Sequence, residues 1–247
     1  MPNKVYSAKT GTVYITPLLC YSISRWEARN VQKCNMVWRG AVYLAGMTLL
    51  ALGITLTTLA GRGASAIVSV PYTISCWSGL SFANLTLVFY CLFVAAEFII
   101  KGKQRRWLDA LQVPVSIVFT RFMALFQHGI RYQSGYLPTD LAVLAGGVVF
   151  TGIGAAMAVD MMLIPNPGDG IVSSISMRSG KELGLCKNCF DLGCVATALL
   201  LGTCAGAPLM GIGLGTVLSM LGVGRVMAVF NRLACKLLKR LAGLDAA

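Results

Sequence analysis

Charged residues are scarce in this chain: they make up 12% of it, against 56% hydrophobic residues and a mean hydropathy of +0.72. Soluble domains carry about 25% charged residues, so this composition excludes an ordinary soluble domain and favours a membrane protein. Among the charged residues, the acidic ones are the fewer, nine against 21 basic ones, and the formal net charge is +12. The basic residues lie in loops between apolar runs, which is typical of membrane topology and argues against nucleic acid as a partner.

The sequence also lacks the patterns that carry catalysis. It has one histidine, no nucleophile–base pair, no phosphate-binding loop and no cluster of metal-ligand spacing. Its nine cysteines include one Cys-x-x-Cys pair, Cys186 and Cys189, and a lone pair is weak evidence for zinc or redox chemistry. We therefore predict no metal, no cofactor and no enzymatic activity, and a membrane-bound thiol enzyme is the least favoured alternative.

What the chain does contain is a series of apolar runs. A membrane span needs roughly 20 apolar residues, and the runs predict six transmembrane helices. Two further segments are too short to span, and each follows a glycine- or proline-rich break, so we predict two short re-entrant or broken helices. The predicted spans are 40–60, 82–100, 108–127, 141–159 and two within 192–224 that turn at Gly206-Ala207-Pro208, and the short segments are 64–78 and 170–180.

The two halves of the chain repeat each other. Arg121-Phe122-Met123-Ala124-Leu125-Phe126 matches Arg225-Val226-Met227-Ala228-Val229-Phe230, and the same spacing relates Ile67-Val68-Ser69 to Ile171-Val172-Ser173. Each half contributes three spans, an odd number, so the second half enters the membrane from the opposite side. The predicted fold is an all-α polytopic membrane protein of two inverted three-span repeats, a plan used by transporters.

The predicted organisation has five parts, and its orientation follows from the basic residues. All but four of the 21 lysines and arginines fall on one predicted side, which places both termini in the cytoplasm. The exceptions are Arg62 and Arg131 on the other side, and Arg121 and Arg225 within spans. The parts are an arm (1–39), a first membrane repeat (40–127), an extracytoplasmic linker (128–140), a second membrane repeat (141–230) and a basic amphipathic tail (231–247).

Candidate site residues come from the charges within spans and from the broken segments. A guanidinium in hydrocarbon needs a partner or a substrate, so Arg121 and Arg225 are candidate anion ligands. The structural alternatives are interhelical pairing with Asp160, Asp191 or Glu97, and snorkelling to the interface. The starts of the short helices present free backbone N–H groups, which attract anions. The further candidate substrate-binding residues are therefore Ser65, Gly168, Asp169 and Gly170. Asp169 is also interpreted as a helix cap, with Ser65 as its repeat mate. Candidate coupling carboxylates are Asp160 and Asp191.

A series of short motifs follows in order along the chain: Pro71-Tyr72, the segment 160–172, Lys181-Glu182-Leu183-Gly184, Phe190-Asp191, the glycine-rich segment 211–217 and Val223-Gly224-Arg225. With these motifs the chain resembles the YczE/YyaS/YitT family of bacterial integral membrane proteins, from about Ala41 to Asn231. The resemblance implies a multi-pass protein of the bacterial inner membrane with a permease function, and it implies no particular substrate.

The function predicted from these features is a permease in the lipid bilayer that moves a small anion or zwitterion, such as a carboxylate, by alternating access of the two repeats. The alternative is a membrane-embedded substrate-binding subunit of a larger transporter. In that case the tail or the arm would dock a protein partner at the cytoplasmic face. Whether the chain forms a homo-oligomer is left open by the sequence.

Overall fold

The computed structural model describes residues 36–102, 106–133, 135–207 and 211–241, which fold into eight α-helices. Six of the eight are long and apolar enough to cross a membrane, which confirms the predicted fold class. The first repeat contains α1 (Met36–Leu59), α2 (Ala66–Ser78), α3 (Phe82–Lys101), a 3-10 turn (Trp107–Leu111) and α4 (Gln112–Gly129). The second contains α5 (Leu137–Asp160), α6 (Pro167–Ser179), α7 (Leu183–Cys204) and α8 (Leu214–Leu241).

Two predicted boundaries are wrong, both in the second repeat. Helix α7 begins at Leu183 rather than near residue 192, because Lys187 and Asp191 form an ion pair one helical turn apart and keep this polar stretch helical. Helix α8 runs past the predicted end of the last span at residue 224, since its apolar stretch reaches Ala234 and the helix continues to Leu241. Most of the predicted arm lies outside the described residues, and its last four residues, 36–39, belong to α1.

The centre of the fold is a close antiparallel crossing of α1 and α5. Gly46 faces Gly154, and Gly53 faces Gly147. Gly46 is equivalent to Gly147 in the repeat, and Gly53 to Gly154, so the two contacts are related by symmetry. A Cβ at Gly53 would lie 2.3 Å from the backbone nitrogen of Thr151, so the two backbones touch. Because equivalent helices run antiparallel, the two repeats are inverted.

The other helices follow the same pseudo-two-fold relation. Helix α2 packs on α7, and α6 packs on α3, so each short helix contacts the opposite repeat. Both short helices end in the same way, at a left-handed glycine, Gly79 or Gly180. In each turn a serine hydroxyl donates to the carbonyl five residues on, Ser75 to Leu80 and Ser176 to Lys181.

This equivalence corrects the repeat register predicted around the short helices. The residues that precede α2 and α6 are Ser65 and Asn166, so the structural mate of Ser65 is Asn166 and not Asp169. The arginine motifs match at a longer spacing than the starts of the short helices, so the second repeat contains extra residues between the start of α6 and Arg225.

The two short helices start in the middle of the bundle and run to opposite ends. The start of α6 contacts the start of α2, where Gly168 packs on Ile67, and Asn166 lies beside Tyr90, about halfway along α3. Helix α6 then follows α3 towards Lys101, with Gly170 beside Glu97. Irregular backbone inside a bilayer is tolerated only where protein or water surrounds it, and these breaks are packed within the bundle.

The glycine crossing makes a testable prediction about packing. The Gly53→Ala variant should lower the stability of the full chain by about 1–3 kcal/mol, because its Cβ would overlap the backbone of α5. Gly146→Ala is the matched control, since a Cβ at this helical position meets nothing within 4 Å. Thermal unfolding of both variants in detergent measures the difference, and equal unfolding temperatures would contradict the close crossing.

Candidate functional site

The starts of the two short helices have different chemistry. At α6, the side chain of Asn166 accepts a hydrogen bond from the Gly168 N–H at 3.2 Å, and Asp169 lies in the first turn. The cap of this helix is therefore Asn166, and the interpretation of Asp169 as the cap is wrong. At α2, the Ser65 side chain makes no cap hydrogen bond, and the first turn contains no acidic residue. The positive end of α6 is thus neutralised by the protein, whereas the positive end of α2 is not.

The two predicted site glycines are positions of close approach. Gly168 packs against the Ile67 side chain at the meeting point of the short helices. A Cβ at Gly170 would lie 2.5 Å from Oε2 of Glu97 and 2.9 Å from Oε1 of Gln112, so any larger residue would collide with two buried oxygens. Glycine at 170 therefore lets α6 press against a polar cluster in the first repeat.

Two of the predicted carboxylates come together on this side of the fold. Asp191 accepts a hydrogen bond from Lys187 at 3.1 Å on α7. Asp169 lies within electrostatic reach of both residues and of Tyr90. The grouping combines two carboxyl groups with one ammonium next to the start of α6, so it has one excess negative charge when both carboxyl groups are ionised.

A second polar cluster, formed by Glu97, Lys101, Asp109 and Gln112, was not predicted as a site. The Lys101 ammonium donates to Oε1 of Glu97 and, at 2.8 Å, to Oδ2 of Asp109. The Gln112 amide donates to Oε2 of Glu97 at 2.8 Å. The sequence signal was the Glu97 and Lys101 pair, one turn apart at the end of an apolar run. Its connection to Asp109 and Gln112 depends on how the chain turns between α3 and α4.

The two in-span arginines, Arg121 and Arg225, are exposed on the outside of the bundle and do not lie together. Arg121 is exposed on the same face of α4 as Ile117 and Leu125, and it donates to Oδ1 of Asn84 at 3.0 Å. Arg225 is exposed on the apolar face of α8 that contains Leu221 and Val229. Arginines on such faces can extend their charged ends towards the headgroups, the structural alternative noted above. Their role as solute ligands stays a prediction.

The remaining candidates lie at the end of α5 and on α7. Asp160 is 6% exposed in the last turn of α5, next to Met161, whose carbonyl accepts from Nε of Arg39 at 3.2 Å. Cys186 is buried and Cys189 is exposed on α7. Within the described ranges, no group of three or more histidine, cysteine or acidic residues is arranged to hold a metal ion.

At the end of the bundle where α5 starts, an ion pair joins Arg62 and Asp140. Sequence reasoning did not predict this pair. Nη2 of Arg62 donates to Oδ2 of Asp140 at 2.6 Å, and the Tyr132 hydroxyl donates to the other carboxylate oxygen at 2.7 Å. The Arg62 carbonyl accepts from the Gly215 N–H at 2.7 Å. One residue of the first broken segment thus connects the starts of α5 and α8.

The antiparallel repeats, the six apolar helices and the two half-length helices together define a multi-pass helical membrane protein. The chain belongs to the DUF6198 family, described as a family of unknown function, whose model matches residues 37–232. Comparisons with curated proteins and with solved structures gave no match.

The Arg62–Asp140 pair gives a prediction for this end of the bundle. Asp140→Asn should lower the free energy of unfolding by about 1–3 kcal/mol, because it replaces the fully buried carboxylate by a neutral amide. The ion pair with the partly exposed guanidinium of Arg62 is then lost. Arg131→Met is the control, since Arg131 is exposed on the same connection between α4 and α5. Equal unfolding temperatures for the two variants would show that the ion pair does not stabilise the fold.

Proposed function

We propose that this protein is a permease that moves a small anion, such as a carboxylate, by alternating access of its two inverted repeats. The observation that supports this most is the meeting of the starts of α2 and α6, with Ile67 against Gly168, in the middle of the bundle. Inverted-repeat transporters bind substrate near the midplane at the starts of broken helices, and the two repeats exchange conformations to open each side in turn.

The difference between the two helix starts supports an anionic solute. The first turn of any helix has backbone N–H groups without intrahelical acceptors, and such ends attract anions. The start of α2 has neither an acidic residue nor a side-chain cap to occupy these groups. Ser65 is half-buried there and offers a hydroxyl. We therefore assign the solute carboxylate to the start of α2.

The start of α6 suits the opposite charge. Asp169 and Asp191 lie together with Lys187, and the group has one more negative than positive charge. A cation, or the positive end of a zwitterionic solute, would balance it. This region is the proposed partner of the anion site across the pseudo-two-fold axis.

The second candidate function, a binding subunit for a larger complex, is favoured by one feature of α8. Its apolar stretch ends at Ala234, yet the helix continues to Leu241 with several basic residues. Such an extension would suit a protein partner. Uptake by the purified chain alone in liposomes separates the two candidates.

The proposed location is the bacterial inner membrane with both termini in the cytoplasm. This location rests on the resemblance to the YczE/YyaS/YitT family and on the distribution of basic residues. Lys101, with the loop that follows it, and the turn after α6 would face the cytoplasm. The Arg62–Asp140 pair would face the opposite side.

Reporter fusions test this topology. Fusions at residues 104, 180 and 247 should read as cytoplasmic, and a fusion at residue 135 should read as extracytoplasmic, because basic residues are retained in the cytoplasm. Alkaline phosphatase and a fluorescent protein serve as complementary reporters at each position. A cytoplasmic reading at residue 135 would overturn the proposed orientation.

Substitution of Ser65 tests the anion site. The Ser65→Asp variant should reduce carboxylate uptake at least tenfold, because it places a negative charge where the solute carboxylate would bind. Ser65→Thr is the matched control, since threonine keeps the hydroxyl and adds no charge. Uptake is measured by counterflow of labelled acetate, lactate and succinate in liposomes.

Equal uptake by the two Ser65 variants would contradict an anion site at the start of α2. Absence of counterflow for every carboxylate with the wild-type chain would favour the binding-subunit alternative. The same assay with Arg121→Ala and Arg225→Ala tests these arginines as solute ligands, and a loss of uptake with normal protein levels would support that role.

A further inference from the structure

The packing of the last two helices differs between the repeats. In the first repeat α3 packs along α4, and the ring of Tyr90 stacks on that of Phe119 with centroids 5.9 Å apart. In the second repeat α7 and α8 are the equivalent helices, yet their described residues do not pack along each other. The other extensive helix contacts occur in both repeats, so this pair is an exception to the pseudo-two-fold relation.

The face of α8 that corresponds to the buried face of α4 is open. At the spacing of the two arginine motifs, Ser116 and Thr120 of α4 are equivalent to Met220 and Gly224 of α8. Ser116 is 1% exposed and Thr120 is 0% exposed, whereas Met220 is 42% exposed. A Cβ at Gly224 would meet nothing within 4 Å. The same surface is therefore covered in the first repeat and uncovered in the second.

A polar pair joins α3 to α4, and the same two residue types recur in the second repeat. Arg121 donates to Oδ1 of Asn84 at 3.0 Å. In the second repeat an asparagine and an arginine stand at the same separation of 37 residues, Asn188 on α7 and Arg225 on α8. Both are exposed, and neither side chain has a hydrogen bond to another described residue.

Arg225 lies at a depth where a charge needs a partner. The apolar stretch of α8 runs from Leu214 to Ala234, and Arg225 is near its middle. A charged side chain at the centre of a span is costly unless it is paired or hydrated. A guanidinium has several N–H donors, and the side-chain oxygen of an asparagine is an acceptor. Asn188 could therefore serve Arg225 as Asn84 serves Arg121.

We propose that the protein has a second conformation, in which α7 closes on α8 and Arg225 donates a hydrogen bond to Oδ1 of Asn188. The open face of α8 is then covered by α7 of the same chain, in the arrangement that α3 and α4 already show. The two helices are consecutive in the chain, which favours this partner over a second copy.

This closing gives the proposed alternating access a structural basis. In transporters with inverted repeats, one repeat moves against the other to open each side in turn. The closed pair of helices in the first repeat and the open pair in the second would exchange during such a cycle. The exchange as a transport step rests on the proposed permease function, whereas the closing of α7 on α8 does not.

Distances between spin labels in the full chain in lipid test this closing. Leu192 on α7 and Leu221 on α8 are exposed and lie about one helical turn from the proposed pair. Labels are attached after Leu192→Cys and Leu221→Cys in a variant whose nine native cysteines are replaced by serine. They should give two populations, a longer distance for the present structure and a shorter one for the closed conformation. Labels at Val88 and Ile117, the equivalent positions of the first repeat, are the matched control for a closed pair of helices.

Two substitutions of Asn188 should shift the populations in opposite directions. Asn188→Asp should raise the fraction at the shorter distance by about threefold or more, because a carboxylate accepts more strongly than an amide from a guanidinium. Asn188→Leu should lower this fraction by about threefold or more, because it removes the acceptor. The distance between labels at Val88 and Ile117 should stay the same in both variants, which shows that the fold is retained.

The outcomes separate this inference from the proposed function. Absence of a shorter distance in both the wild type and Asn188→Asp would overturn the second conformation, and a fraction unchanged in Asn188→Leu would overturn the pairing with Arg225. A shorter distance between two chains, one labelled at Leu192 and the other at Leu221, would assign the open face to a second copy instead. Populations that follow Asn188 while the wild type fails to transport labelled carboxylates would keep the closing and overturn the permease. Undiminished uptake by Asn188→Leu would overturn the closing as a transport step.

Discussion

The close crossing of α1 and α5 is the contact on which the rest of the structure depends. Four glycines bring the two backbones together, with Gly46 on Gly154 and Gly53 on Gly147. In a bilayer, helices gain little from burying apolar side chains against each other, so packing of small residues supplies much of the association. Because the crossing is antiparallel and joins equivalent positions, it fixes the pseudo-two-fold axis. The exchange of α2 and α6 between the repeats follows from that axis.

The polar groups differ between the two repeats, although the backbones of the repeats are nearly symmetric about this axis. The turns at Gly79 and Gly180 share their glycine and serine contacts, since both must end a short helix and reverse the chain. The helix starts differ, with Ser65 at one and Asn166 followed by Asp169 at the other. Duplication preserves the residues that the backbone requires and leaves side chains at the centre free to diverge. The two helix starts therefore differ in charge although their backbones are equivalent.

Sequence reasoning found the helices and missed most of the polar contacts, for identifiable physical reasons. Long apolar runs in a bilayer permit few conformations, so the ends of two spans, at Leu59 and Lys101, were predicted to within one residue. The pairing of Arg62 with Asp140 joins residues that are far apart in sequence, and no local pattern indicates it. Arg121 and Arg225 were identified from the sequence because a charged residue within an apolar run can be recognised without knowledge of the fold. Which face of the helix they occupy depends on the neighbours of that helix, and the neighbours are known only in three dimensions.

The sequence by itself determined the class of the protein, the number of spans, the duplication and the inversion of the repeats, because hydropathy and an odd number of spans per repeat are properties of the linear chain. Only the tertiary structure decided where the candidate site residues lie. In the tertiary structure the two arginines lie on the outer surface, and Ser65 is equivalent to Asn166. Glu97 and Gln112 lie against Gly170. The physical reason is that contacts between helices depend on rotation and register, and a difference of one residue turns a side chain by about 100° around the helix axis.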